Sequence, residues 1–193
     1  SPASFASPEM RWLIDCYNVI RRDPDLRGDE ERSLEAGRTA LLRLLASHVR
    51  ESPDRFTVVF DGARVRGGAA SPPDARLEVV FSRPPQTADD VLIRLARQAG
   101  AGAVVISSDR KIVDAARRAG CPVVGAEEFV AGLAARAGGG EGEKDDDDEE
   151  RPRPKRGNPR RLSKDARAAQ RALRRLQPRP ERCLGVHDAL VQF

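Results

Sequence analysis

The sequence predicts an α/β domain in three layers, with helices on both faces of a central, mainly parallel sheet, followed by an acidic linker and a basic helical tail. Three observations predict it. The runs Trp12–Ile14, Phe56–Phe60 and Ala103–Ile106 are short, β-rich and almost wholly apolar, the pattern of strands buried on both faces. Longer stretches between them carry apolar residues at helical spacing. Strands alternating with helices in this way build a parallel sheet, and right-handed crossovers bring the loops that follow the strands to one edge.

Residues 12–15 form the first strand, which ends in Asp15. Residues 21–32 are polar, contain Pro24 and Gly28, and read as a loop. Ser33 is placed to cap a helix running to about His48, with Leu34, Leu41, Leu42, Leu44, Leu45 and Val49 as its apolar face. Phe56–Phe60 is a central strand closed by Asp61-Gly62, and the Gly-, Pro- and Arg-rich stretch 62–76 is expected to be a mobile loop. Leu77–Phe81 is a third strand. Its Glu78 and the flanking Pro72, Pro73, Pro84 and Pro85 place it at a sheet edge. A helix begins at Thr87–Asp90 and runs to about Ala99. Strand 103–106 follows, then a helix from Asp109 to Ala119 closed by Gly120, a short strand at 122–124 and a helix over 126–136. The expected boundaries are a flexible N-terminus at 1–10, with Met10 a natural place for a native chain to start, a domain at 11–137, a disordered acidic-then-basic linker at 138–161, and a basic tail at 162–193 with a helix from Ser163 to Leu176.

Charge separates these parts. The 193 residues carry a net +4, but residues 1–140 carry about +1, residues 141–150 about −7 and residues 151–182 about +11. Blocks of this size mark solvated tails or nucleic-acid contacts. Aromatic residues are only 4 %, which argues against a large aromatic binding platform. Cys16, Cys121 and Cys183 are odd in number and show no CxxC, which fits a reducing, cytoplasmic setting without structural zinc. No secretory signal is read at the N-terminus, and no stretch approaches the ~18 apolar residues of a membrane span. His48 reads as a surface or packing residue and His187 lies in the tail, so a histidine-based metal centre or dyad is not expected. Neither GxGxxG nor a P-loop is present.

The chemistry concentrates in acids. Asp15, Asp61 and Asp109 end strands or the loops just after them, and Asp89-Asp90 opens a helix. Each has an ordinary structural reading: Asp15 or Asp109 as a cap, Asp61-Gly62 as a turn, Ser108 as an N-cap, Asn18 as an Asx-turn residue, Thr87 and Asp90 as a capping box. Together they gather at one end of one sheet, where ligands of open α/β sheets bind. Such a cluster repels itself unless a cation such as Mg²⁺ or Mn²⁺ relieves it.

Asp15-Cys16-Tyr17-Asn18, Val58-Val59-Phe60-Asp61, Gln86-Thr87-Ala88-Asp89-Asp90 and Ser107-Ser108-Asp109, in this order, resemble the motif series of NYN domains, which are PIN-like ribonuclease domains, and within them the bacterial YacP-type branch. The resemblance covers about residues 11–135. It implies a PIN-like three-layer fold and metal-dependent endoribonuclease activity. It also implies catalytic and metal-ligand roles for Asp15, Asp89, Asp90 and Asp109, with Asn18, Asp61 and Ser108 in support. Two positions depart from the family pattern: Cys16 stands where glycine is usual, and Gln86 where glutamate is usual, which removes a carboxylate beside the pair.

On this reading a cation-activated water attacks an RNA phosphodiester. Adjacent helical residues point about 100° apart, so one of Asp89 and Asp90 would ligate directly and the other through water. Candidate RNA contacts are Arg64, Arg66 and Arg76 in the 62–76 loop, Arg110 and Lys111 beside the acids, and Arg167, Arg171, Arg174 and Arg175 on the tail helix. The partner expected is RNA, on the ribosome or free. Two rivals come from other classes. One is a catalytically weak RNA-binding adaptor, suggested by Gln86 and the basic tail. The other is a receiver-like phosphoacceptor domain, which the late Asp89-Asp90 pair fits poorly.

Overall fold

The computed structural model describes residues 9–23, 26–28, 34–62, 74–137 and 163–176. The acidic run 141–150, the basic segment 151–161 and the loop arginines Arg64 and Arg66 lie outside them. The elements are β1 Arg11–Asp15, α1 Cys16–Arg22, α2 Leu34–Glu51, β2 Arg55–Phe60, β3 Leu77–Phe81, α3 Ala88–Ala99, β4 Ala103–Ile106, α4 Arg110–Arg118, β5 Val123–Val124, α5 Ala126–Ala137 and α6 Lys164–Leu176.

All strand pairings are parallel, and the order is β3-β2-β1-β4-β5. From β1 the chain builds outward through β2 to β3, then crosses back and builds the other way through β4 to β5. The reversal lies between β1 and β4, the position where such sheets open a ligand crevice at the strands' carboxyl ends. β3, with its exposed Glu78, is an edge strand as its sequence predicts.

Alternation along each strand makes the two outer layers. Trp12, Ile14, Phe56, Val58, Phe60, Val104 and Ile106 face one core with residues of α1, α2, α5 and α6. Leu13, Val59 and Val105 face the other with α3 and α4. Trp12 is fully buried, its ring stacked 6.1 Å from Phe56 and tilted 6.0 Å from Phe129. His48 is buried in the packing of α2.

Two features differ from the sequence reading. First, β1 runs straight into a helix. Asp15 is in extended conformation and its side chain accepts a hydrogen bond from the Asn18 amide, so one residue ends the strand and caps α1. Cys16, Val19 and Ile20 bury one side of that helix. Second, α6 is packed on the domain. Ala172 and Leu176 are buried, Leu173 packs beside them, and α6 meets α5 at Gly132, where an added Cβ would lie 3.4 Å from Leu176 Cδ1. Ala172, Leu173 and Leu176 are the apolar side of α6 that makes this contact. Arg175 reaches Asp54, which also accepts hydrogen bonds from the Met10 amide (3.1 Å) and Trp12 Nε1 (3.0 Å).

Candidate active site

Register decides what meets at the carboxyl edge. Ile14 pairs with Ile106, so the next residues, Asp15 and Ser107, come level across the β1–β4 gap. Ser107 Oγ donates to Asp15 Oδ2 at 3.0 Å and accepts from the Asp109 amide at 3.0 Å. Both Asp15 and Ser107 are buried. Asn18 follows one turn into α1, and its Oδ1 accepts from the Ser108 amide at 3.1 Å, a second tie between the β1 and β4 loops. Ser108 Oγ turns away and accepts from the Ala126 amide at the start of α5 (3.0 Å). Asp109 caps α4: its Oδ1 accepts from the amides of Lys111 (2.8 Å) and Ile112 (3.3 Å).

Asp89 and Asp90 sit in the first turn of α3. Thr87 and Asp90 form a full capping box: the Asp90 amide donates to Thr87 Oγ1, and Asp90 Oδ2 accepts from the Thr87 amide at 3.0 Å. Asp61 directly follows β2, and its Oδ1 accepts from Ser82 Oγ at 3.3 Å. Gly62 is required next to it, because a Cβ there would fall 1.9 Å from the Ser82 carbonyl oxygen.

These acids feel one another. Burial raises the Asp15 carboxyl above its ordinary range against the hydrogen bonds from Asn18 and Ser107, and the charges of Asp89 and Asp109 add to the rise. Burial likewise raises Asp89; Lys111 opposes it, while Asp109, Asp90 and Asp61 reinforce it. Asp90 is held low by its bonds to Thr87. Lys111 Nζ lies 3.9 Å from both Asp89 Oδ2 and Asp90 Oδ1.

The structure therefore brings Asp15, Asn18, Asp61, Asp89, Asp90, Ser108, Asp109, Arg110 and Lys111 to one edge. It does not bring Arg76 there. That residue sits at the start of β3, at the opposite edge, bonded to Asp74 and to the Ser52 carbonyl (2.7 Å). Arg175 is likewise bound at the far edge, to Asp54, while Arg167, Arg171 and Arg174 are exposed on α6. Ser107 escaped the sequence reading: only the β1–β4 register aligns it with Asp15. The donor set is all oxygen, the kind that a hard divalent cation such as Mg²⁺ or Mn²⁺ takes, and burial, with neighbouring acids adding to it, raises the Asp15 and Asp89 carboxyls. Among the described residues, no three such side chains close on one point.

The acids line the switch point of a five-stranded parallel sheet, and the family match places the chain in the PIN-like nuclease class. The profile of the YacP-like NYN domain family matches residues 12–175, and the chain belongs to that family. It is 33 % identical over 85 residues to a Bacillus subtilis (strain 168) protein described as uncharacterized protein YacP. That match spans 44 % of this chain and half the length of the relative. The fold is also similar to crystal structures of Rae1 (YacP) from Bacillus subtilis and a point mutant of it. Both have 26 % identity and a TM-score of 0.55, covering 66 % and 65 % of this chain and 74 % and 75 % of theirs. No helix among the described residues is long and apolar enough to cross a membrane.

Proposed function

We propose that this chain is a divalent-metal-dependent endoribonuclease that hydrolyses RNA phosphodiester bonds. The observation that carries the reading is that Asp15, Asp89 and Asp109, drawn from β1, α3 and the β4 loop, lie at the carboxyl edge beside the switch point, where the charges of Asp89 and Asp109 add to the rise of the Asp15 carboxyl. These three would hold Mg²⁺ or Mn²⁺, with Asp90 facing the same place through its Oδ1. Bound there, the cation favours ionisation of a water nucleophile and offsets charge on the leaving oxygen.

The chain's own residues do the positioning. Ser107 fixes Asp15 and the Asp109 backbone with one hydroxyl, and Asn18 locks the two loops together. The water oxygen bonds phosphorus as the bond from phosphorus to one ribose oxygen breaks. The water's proton ends on the freed hydroxyl, leaving a phosphate monoester. Arg110 and Lys111 beside the acids, and the exposed Lys164, Arg167, Arg171 and Arg174 of α6, supply phosphate contacts without base choice. The partner is RNA, free or on the ribosome, and the location we propose is the cytoplasm.

One observation favours a second reading, an RNA-binding adaptor with weak catalysis: the acids do not converge on one point among the described residues. Incubating the full chain with varied RNAs, with and without Mn²⁺, separates the two. Internal cuts that need Mn²⁺ and vanish in Asp15→Asn and Asp109→Asn support the nuclease. RNA binding with no Mn²⁺-dependent cleavage supports the adaptor.

A further inference from the structure

Lys111 joins the starts of two helices. Its amide is fixed by Asp109 Oδ1 at 2.8 Å, on the first turn of α4. Its ammonium, at the end of a side chain that is 62 % exposed, sits 3.9 Å from one oxygen of Asp89 and 3.9 Å from one oxygen of Asp90. The root is rigid, and the head rests at the outer limit of an ion pair, between two carboxylates on a different helix. Asp90 Oδ2 accepts from the Thr87 amide and hydroxyl, so Oδ1 is the Asp90 oxygen nearer Lys111. Lys111 is also the cation whose charge opposes the rise of the Asp89 carboxyl.

A single positive charge there has two competing uses. With no divalent cation, it offsets part of the repulsion among Asp15, Asp61, Asp89, Asp90 and Asp109. Once a divalent cation occupies Asp15, Asp89 and Asp109, the carboxylates no longer need the ammonium, and the same flexible stem reaches solvent where an RNA phosphate would lie. A lysine suits this exchange better than an arginine, being a compact point charge on a flexible stem rather than a planar fork that locks bidentate pairs.

We propose that Lys111 is an exchangeable counter-cation, resting on Asp89 and Asp90 when the site lacks a divalent ion and passing to a substrate phosphate when one binds. This rests on the proposed metal-dependent reading of the site. It makes cation and RNA binding mutually reinforcing, since each releases or recruits the same ammonium, and the coupling must be equal in both directions.

The test uses the full chain and two variants, Lys111→Gln and Lys111→Arg. Mn²⁺ affinity is measured without RNA by electron paramagnetic resonance of the free ion, and binding of a short labelled RNA is measured with and without Mn²⁺. Removing a competing unit charge about 4 Å away in water should tighten Mn²⁺ binding about fivefold in Lys111→Gln, while Lys111→Arg, which keeps the charge, stays near the wild type. RNA binding in Lys111→Gln should weaken only when Mn²⁺ is present. Equal Mn²⁺ affinity in wild type and Lys111→Gln, or an RNA loss that is independent of Mn²⁺, overturns the exchange and leaves the metal site standing. A wild type that takes up no Mn²⁺ overturns both.

Discussion

Asp15 and Asp54 are both buried aspartates beside neighbouring strands, at opposite edges of the sheet, and they are held in opposite ways. Burial pushes each carboxyl toward its neutral form. At Asp54 that push is outweighed by hydrogen bonds from Arg175, Trp12 and the Met10 amide and by the Arg175 charge, so its pKa falls below the ordinary range. At Asp15 two hydrogen bonds do not outweigh burial, two further acids add repulsion, and its pKa rises. One edge is electrostatically satisfied and closes the fold. At the other, burial and neighbouring acids leave the Asp15 carboxyl raised, which the cation proposed above would offset.

The largest effects should come from breaking the satisfied edge. Asp54→Asn leaves the Arg175 guanidinium beside a neutral amide, and loss of one partner of a buried pair should cost about 3 kcal/mol. Leu176→Ala, which empties the contact over Gly132, should cost a similar amount, about 3 kcal/mol. Chemical denaturation checks both. The pH dependence sharpens the comparison. Because the folded pKa of Asp54 is lowered, its stabilisation is complete above the ordinary carboxylate pKa and disappears as pH falls through the folded value. The gap between wild type and Asp54→Asn should therefore narrow in acid. Asp15, with a raised pKa, behaves in reverse: its ionisation removes stability as pH rises from the ordinary carboxylate range through the folded value.

The contrast also marks where sequence reasoning reaches. The sheet was legible because Trp12–Ile14, Phe56–Phe60 and Ala103–Ile106 are apolar runs that end at or near acids, and local pattern alone specifies them. The acids proposed for the site were read for the same reason, each lying at the end or the start of a recognisable element. α1 was not, because Asp15 caps it from inside the strand, with no loop residue between to signal a helix start. Ser107 depends on the β1–β4 register, and the Asp54–Arg175 pair joins residues 121 positions apart, so neither is a local property. The docking of α6 brings Leu173 and Leu176 against Gly132 of α5, a contact between helices far apart in the chain that local pattern does not announce.

A smaller effect separates two adjacent acids. Asp90 serves the capping box, so Asp90→Ala should lower stability by about 1 kcal/mol while keeping part of the RNA cleavage. Asp89 has no such bond, and Asp89→Ala should remove cleavage at nearly unchanged stability. Melting temperature and initial rate on both variants decide it. Equal catalytic loss with no stability change in either would remove the division of labour between cap and ligand.

The smallest shift in stability bears on the central claim, that the carboxyl edge is a cation site held short of positive charge. The measurement is the melting temperature of wild type and Asp15→Asn, each with and without Mn²⁺. Without Mn²⁺, Asp15→Asn should melt at or slightly above the wild type, because a buried and repelled charge is gone. Added Mn²⁺ should raise the melting temperature of the wild type and leave that of Asp15→Asn in place. A variant that melts well below the wild type, together with equal Mn²⁺ shifts in both proteins, would contradict the account.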